Sequence, residues 1–163
     1  LRRSLPSTDN EMSTLSAELE RALAYLEILK IRMGARLAVQ VDVPESLRAT
    51  PLPPMVLQTL VENAIKHGLE PRTGGGTVWI RARRVDDVVA VTVADDGEGF
   101  NTKTSGTGIG LKNVRERLRL LYGASAALSV VANFPNGVAA TISVPPALPP
   151  AVPAAKPVEG PHV

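Results

Sequence analysis

The chain has 163 residues and a formal net charge of +2, from 18 Lys and Arg against 16 Asp and Glu. This charge is too small to suggest nucleic acid or a membrane surface as a partner. The chain contains no Cys, which excludes disulfides, Cys-based zinc sites and thiol catalysis, and its length suits one domain that buries roughly 68–70% of its unfolded surface.

Residues 1–13 are polar, contain Pro6 and show no hydrophobic period, as is typical of a linker. No signal peptide is visible, and the apolar runs are well short of the ~20 residues that span a bilayer. Because the chain does not begin with Met, we expect it to be a piece of a longer protein.

A first helix is predicted from Thr14, a suitable N-cap, to Gly34, a suitable stop. Glu18 lies near the positive end of its dipole. Apolar residues step by three and four along one face: Leu15, Leu19, Ala22, Leu26, Leu29 and Met33. This stripe packs either on its own domain or on a partner helix, and it is too short for a coiled coil, which favours the first reading.

A second helix is predicted from about Pro54 to His67, with Gly68 as its stop, after a strand at 37–43. Its apolar face holds Leu57, Leu60, Val61, Ala64 and Ile65. A polar face collects Thr59, Asn63 and Lys66, with Glu62 beside them.

The rest of the chain is predicted to form two hairpins of strands, with one more helix between them. Strands are predicted at 77–83, 88–94, 126–132 and 138–144. A mobile polar loop at 101–107 precedes a helix at 110–121, and the Pro- and Ala-rich residues 146–163 are predicted to be disordered. Because the strands come in hairpin pairs, the pattern predicts an α+β fold, a mixed and mostly antiparallel sheet with helices on one face.

The first motif with chemical potential is Asp95-x-Gly97-x-Gly99 at the end of an apolar strand. Glycine lets the backbone approach a flat ligand closely, and an Asp at this place can accept a hydrogen bond from an exocyclic amine. An ordinary tight turn is an equal alternative for this motif taken alone.

The second motif is Gly106-x-Gly108-x-Gly110 at the start of a helix. Free N–H groups at Gly110, Leu111 and Lys112 would form an anion site there. It is neither a P-loop nor a good dinucleotide fingerprint, and a flexible surface linker is the alternative.

The third motif is Glu62-Asn63-x-x-Lys66-His67. An Asn carbonyl suits the oxygen shell of Mg²⁺, and Lys and His can donate to phosphate oxygens. A surface ion pair between Glu62 and Lys66, and a cation at a helix C-terminus for His67, are the alternatives.

In their order along the chain, the three motifs resemble those of the gyrase, Hsp90, histidine kinase and MutL ATPase superfamily. The matching stretches are Glu62–Gly68, Asp95–Gly99 and Gly106–Leu111. Within the superfamily, the stretch Leu57-Gln58-x-Leu60-Val61-Glu62-Asn63 resembles the corresponding sequence of LytS/YehU-type sensor histidine kinases. The resemblance covers roughly residues 14–145 and implies a two-layer sandwich, the Bergerat or GHKL fold.

The resemblance also implies roles for individual residues. It implies that Asp95 reads the adenine amine of ATP in a pocket shaped by Gly97 and Gly99. It implies that Asn63 holds Mg²⁺, that Glu62 orients water or the metal shell, and that Lys66 and His67 contact the phosphates, so that Glu62, Asn63 and Lys66 are the catalytic residues. The lid that hinges and offers N–H groups to the phosphates is then formed by Gly106, Thr107, Gly108, Ile109, Gly110 and Leu111.

Three features depart from the superfamily pattern. Thr59 stands where hydrolases of the superfamily have a Glu that activates water, so hydrolysis of ATP is not expected. The acceptor histidine expected upstream is absent, and Leu1–Leu5 resembles the end of the helix that carries it. Val138 follows Gly137 where Thr is usual, and Thr141 comes later.

The resemblance therefore implies a histidine kinase domain that transfers the γ-phosphoryl group of ATP to a histidine on that upstream helix. The implied partners are ATP, the upstream helix and a response regulator, with no nucleic acid. The full-length protein is expected to be a homodimer with this domain in the cytoplasm, attached to a membrane-bound sensor, whereas the fragment itself can be a monomer. The other hypothesis is a nucleotide-responsive interaction module, such as an anti-sigma-like regulator.

Overall fold

The structure, a computed structural model, describes residues 12–99 and 105–148, with the backbone alone at 105–108. The helices are α1 (Leu15–Met33), α2 (Val56–Asn63) and α3 (Ser105–Tyr122), and a π-helical segment, Ala64–Leu69, continues α2. The strands are β1 (Ser13–Thr14), β2 (Leu37–Asp42), β3 (Pro51–Leu52), β4 (Gly76–Val85), β5 (Val88–Asp95), β6 (Ala127–Ala132) and β7 (Val138–Val144). Most of the predicted linker and tail, and residues 101–104 of the predicted loop, lie outside the described residues.

Five strands form the main sheet, in the order β2-β4-β5-β7-β6. Only the β2–β4 pair among them is parallel, and the other three pairs are antiparallel. The short strands β1 and β3 pair separately. This mixed, mostly antiparallel sheet with helices confirms the predicted fold class.

One face of the sheet forms the core together with the helices. Because strand side chains alternate between faces, Val78 and Ile80 of β4 and Val91 and Val93 of β5 point to the same side and are buried. They belong to the same apolar cluster as the stripe of α1. The prediction that this stripe packs on its own domain is therefore confirmed.

The opposite face of the sheet carries small and polar side chains. Thr92 and Thr141 share a hydrogen bond of 2.8 Å there, and the guanidinium of Arg81 lies 5.7 Å from the centre of the Trp79 ring. Within the described residues, the helices thus cover one face only. No helix in the described ranges is both long and apolar enough to cross a bilayer.

Helix α1 also holds the start of α2 through a buried side chain. Thr14 caps α1 as predicted, accepting from the amide of Ala17 at 3.1 Å. Glu18, which is fully buried, accepts hydrogen bonds from the amides of Met55 at 3.1 Å and Leu57 at 3.3 Å. Glu18 therefore satisfies amides at the beginning of the second helix, a contact across the core that its position in α1 did not reveal.

Two helix boundaries differ from the predictions. The second helix does not stop at Gly68, because the chain widens into the π-helical segment, which carries the fully buried Leu69 into the core. The third helix begins at Ser105 rather than at Gly110. The part of the predicted loop at 105–107 is therefore helical.

Candidate functional site

The carboxylate of Asp95 lies at the end of β5, in the interior of the protein. Its residue is only 2% exposed, and the amide of Gly97 donates to Oδ1 at 2.8 Å. Burial raises the pKa of this carboxyl to about 6, although the amides of Gly97 and Val138 oppose the shift by hydrogen bonding; the neighbouring charge of Asp96 adds to it. A buried carboxylate of this kind can accept a hydrogen bond from a ligand that enters beside the loop after β5.

The loop at the end of β5, residues 95–99 (the Asp95 loop), packs directly on the π-helical segment at Gly68. A Cβ atom at Gly68 would lie 2.7 Å from Oδ1 of Asp95, and one at Gly97 would lie 2.1 Å from the carbonyl oxygen of Gly68. The amide of Glu98 donates to that same carbonyl at 2.9 Å. Only glycine allows the two backbones to approach this closely. The structure therefore brings the first and third motifs together.

Gly99 has a φ of +86°, in the region that favours glycine. This conformation agrees with the sequence-based reason for a glycine in the first motif.

The polar residues of the third motif lie where α2 passes into the π-helical segment. Asn63 is the last residue of α2 and is half-buried, as is Glu62, whose Oε2 accepts from Nε2 of Gln58 at 3.1 Å. Lys66 is exposed and His67 is half-buried, both in the π-helical segment. Although both partners are described, no ion pair joins Glu62 to Lys66, so the surface ion pair offered as an alternative is not formed.

The second glycine motif lies within α3. Gly106, Thr107 and Gly108 belong to its first turn, and a Cβ atom at Gly110 would lie 3.5 Å from Cγ2 of Thr59 on α2. The amides without an intrahelical partner are those of the first four residues, 105–108. The prediction of free N–H groups at Gly110, Leu111 and Lys112 is therefore wrong for this conformation.

The side chains that follow the second glycine motif point in opposite directions. Leu111 is buried in the apolar core and is 6% exposed, whereas Ile109 is 66% exposed. The start of α3 is thereby anchored on α2, on the helix that ends in Asn63.

Four supports of the Asp95 loop were not predicted from the sequence. Arg72 donates from Nη1 to the carbonyl oxygens of Asp96 at 2.6 Å and Gly97 at 3.3 Å. Asn133 donates from Nδ2 to the carbonyl oxygen of Asp95 at 2.8 Å.

The other two supports involve side-chain and backbone atoms near the loop. Oδ1 of Asp96 accepts from the amide of Thr77 at 2.8 Å, and the amide of Val138 bonds to Asp95. No local signal marked the Asp96 contact, because Thr77 lies 19 positions before it in the chain. No local signal marks Arg72 or Asn133, because both contacts join distant parts of the chain.

Thr141 does not replace the Thr that is usual after the last-strand glycine. It bonds to Thr92 on the open face of the sheet, away from the buried Asp95. At the position next to Gly137, Val138 contributes its backbone amide to Asp95, although its side chain has no hydroxyl.

A family model described as histidine kinase-, DNA gyrase B-, and HSP90-like ATPase matches residues 52–148, more than half of the chain. The chain therefore belongs to this family of ATPases, and the superfamily resemblance read from the three motifs is confirmed.

Its curated relatives include several sensor kinases. The sensor histidine kinase YesM of Bacillus subtilis (strain 168) is 32% identical over 139 residues, covering 83% of this chain and 24% of that protein. The sensor histidine kinase BtsS of Escherichia coli (strain K12) is 35% identical over 136 residues, with the same two coverages, 83% and 24%. The sensor protein LytS of Oceanobacillus iheyensis is 32% identical over 144 residues, covering 80% and 25%. The chain thus spans about a quarter of the length of these relatives.

Solved structures with the same fold include two histidine kinases. The catalytic domain of histidine kinase ThkA has a TM-score of 0.62 at 14% identity, covering 83% of this chain and 96% of that one. The histidine kinase domain of the blue-light activated kinase from Erythrobacter litoralis EL346 has a TM-score of 0.60 at 23% identity, covering 82% and 61%. These likenesses agree with the predicted α+β sandwich.

Proposed function

We propose that the chain is the ATP-binding catalytic domain of a sensor histidine kinase in a two-component signalling system. The observation that carries the proposal is the close junction between the Asp95 loop and Gly68. At this junction the buried carboxylate of Asp95, which we take as the acceptor for a nucleobase, lies next to a helical segment that bears Lys66 and His67, whose side chains can donate to phosphates. The sensor-kinase relatives support the same reading.

The base of ATP is proposed to enter beside Asp95. Its exocyclic amine donates to the carboxylate, while Gly97 and Gly99 leave room for the flat ring. The phosphates then extend toward Lys66 and His67, where the charged amine is the stronger donor. The lid that closes over them is the segment Gly106–Leu111, with its hinge at Gly106, Gly108 and Gly110.

The residues present fit a magnesium ion. The amide oxygen of Asn63 and the carboxylate of Glu62 are hard oxygen donors on consecutive residues at the end of α2. In the described ranges, no group of three or more His, Cys, Asp and Glu side chains could hold a metal by itself. Mg²⁺ usually keeps several waters and takes one or two protein ligands plus substrate phosphates, and Asn63 and Glu62 supply oxygen donors of that kind. The ion, when bound, would neutralise charge on the phosphates.

The reaction proposed is transfer to a protein histidine on an upstream helix. The bond from the γ-phosphorus to the bridging oxygen of ADP breaks, and a phosphorus–nitrogen bond to the imidazole forms. The domain contributes mainly positioning and charge neutralisation. Thr59 cannot replace the Glu of hydrolases, because it is neutral and its hydroxyl donates to the carbonyl of Met55 at 2.9 Å.

The proposed setting follows from this reaction. A response regulator receives the phosphoryl group, the full-length protein is a homodimer, and this domain lies on the cytoplasmic side of a membrane sensor, where ATP is available. No nucleic acid takes part.

Calorimetric titration of the chain with ATP, with and without Mg²⁺, tests the proposal. We expect binding in the micromolar to millimolar range, weakened by Asp95→Asn and by Asn63→Ala. Asn63→Ala should remove most of the Mg²⁺ dependence. Asp87→Asn and Gln40→Ala, both at exposed positions, are the matched controls and should bind like the wild type.

Two outcomes would contradict the proposal. Lack of ATP binding at several millimolar by a folded wild-type chain would favour the interaction module. Phosphorylation of His67 during incubation with ATP would show that this residue is an acceptor and not a phosphate contact.

A further inference from the structure

Arg72 holds the outer side of the Asp95 loop. The residue is half-buried, and its Nη1 reaches two successive carbonyl oxygens, Asp96 at 2.6 Å and Gly97 at 3.3 Å. Hydrogen bonds from a charged donor are among the stronger ones in proteins. A guanidinium therefore joins the loop after the π-helical segment to the loop after β5.

The two carbonyls that Arg72 holds belong to peptide groups whose other ends face the site. The peptide between Asp96 and Gly97 presents its N–H to Oδ1 of Asp95 at 2.8 Å. The next peptide presents the N–H of Glu98 to the carbonyl of Gly68 at 2.9 Å. Because a peptide group is planar and its C=O and N–H point in opposite directions, holding the carbonyl fixes the direction of the N–H.

We propose that Arg72 is a positioning residue of the nucleotide-base pocket, which orients two peptide groups so that one holds the Asp95 carboxylate and the other holds Gly68. This inference rests on the proposed function, because it assumes that Asp95 reads the base. Arg72 also polarises both peptide groups, which strengthens their N–H donors.

A second arginine, in the short turn that follows α1, supports Arg72. Arg36 donates to the carbonyl oxygens of Arg72 at 3.1 Å and Thr73 at 2.9 Å, so it fixes the backbone from which the Arg72 side chain extends. Arg32, one turn earlier, pairs with Glu70 in the same connection. The end of α1 is thus linked through Arg36 and Arg72 to the base pocket.

The test compares ATP with inosine triphosphate, which carries a 6-oxo group in place of the 6-amino group. The wild type should prefer ATP. In Arg72→Ala, ATP affinity should fall by about tenfold or more, and the ratio of the two affinities should shrink toward one. Arg72→Lys should be intermediate, because a single ammonium group does not reproduce the planar guanidinium.

Arg48→Ala is the matched control. Arg48 is also partly buried and donates from two nitrogens to a carbonyl, that of Val43, at 3.3 and 3.1 Å, but it supports another loop. Arg48→Ala should leave the ratio of ATP to inosine triphosphate affinity unchanged. Arg36→Ala should lower this affinity ratio less than Arg72→Ala does. The double variant should resemble Arg72→Ala alone, because Arg36 and Arg72 act on the same loop.

Hydrogen exchange at the amides of Gly97 and Glu98 provides a readout without nucleotide. Exchange should become faster in Arg72→Ala and stay unchanged in Arg48→Ala. Equal losses of affinity for both nucleotides, or unchanged exchange at both amides, would overturn the role of Arg72. Absence of ATP binding by the wild type, with exchange altered as expected, would refute the proposed function and leave the loop support intact.

Discussion

Protonation of Asp95 should weaken the binding of adenine, because only the ionised carboxylate accepts from the exocyclic amine with both oxygens. Burial raises the pKa of this group to about 6. The carboxylate is then almost fully ionised at about pH 8 and about one-tenth ionised at about pH 5. If only the ionised form binds, affinity should fall about tenfold across that range, or about 1.4 kcal/mol.

Adenosine is the ligand of choice for this experiment. It has no phosphates that titrate or meet Lys66 and His67, so the base contact alone is measured. Titration by NMR between about pH 5 and about pH 8 gives the dissociation constant at each step. Asp95→Asn should bind weakly with little pH dependence. Unchanged affinity of the wild type across the range, or the same slope in Asp95→Asn, would refute the reasoning.

The same ionisation should appear in the stability of the chain without ligand. The pKa of Asp95 rises from 3.8 to about 6 on folding, so the folded state holds the proton more tightly than the unfolded state. The protonated Asp95 stabilises the folded chain fully below about pH 4, and this stabilisation is lost as the pH rises through about 6. The unfolding free energy changes by about 3 kcal/mol across this range. The unfolding free energy of the wild type, relative to that of Asp95→Asn, should therefore rise by about 3 kcal/mol as the pH falls from about 8 to about 4. A constant difference in denaturant titrations would contradict the burial of the charge.

Three further changes test the packing around the site. Gly68→Ala would place a Cβ atom 2.7 Å from Oδ1 of Asp95. ATP affinity measured by calorimetry should therefore fall at least about tenfold. If the variant bound ATP as tightly as the wild type, the junction between Gly68 and Asp95 could widen without cost. Glu18→Ala leaves two amides at the start of α2 without their acceptor. It should lower the unfolding free energy by about 3 kcal/mol in urea titration. A change below about 0.5 kcal/mol would contradict the role of Glu18 as a cap of α2. Tyr122→Phe removes a buried hydroxyl that has no hydrogen-bond partner among the described residues, so stability should stay equal or rise by about 1 kcal/mol. A clear loss of stability would indicate an unseen hydrogen bond.

Local rules explain why parts of the site could be predicted. Thr14 and Gly34 bound α1 as expected, since capping depends on the residue itself and on nearby backbone. The strand leading to Asp95 was recognisable from its run of Val and Ala, and its glycines from the close approach that a flat ligand requires. These features depend on neighbours within a few positions, which the sequence displays directly.

The boundaries of the helices were less predictable, because tertiary packing decides them. Gly68 has the chemistry of a helix stop, yet the segment continues so that Leu69 reaches the core. Residues 105–107 have the composition of a loop, yet α3 includes them. Local propensity is a weak preference in such places, and burial of neighbouring residues outweighs it.

The sequence by itself determined the order of elements, the faces that become buried, and the three motifs that mark a nucleotide site. Each of these depends on periodicity or on residue chemistry over a short range. Only the tertiary structure decided that Glu18 would hold the start of α2, that Gly68 would touch Asp95, and that Arg72 would hold the loop beside it. These contacts join residues many positions apart, and their existence depends on how the helices pack against the sheet, which no local pattern encodes.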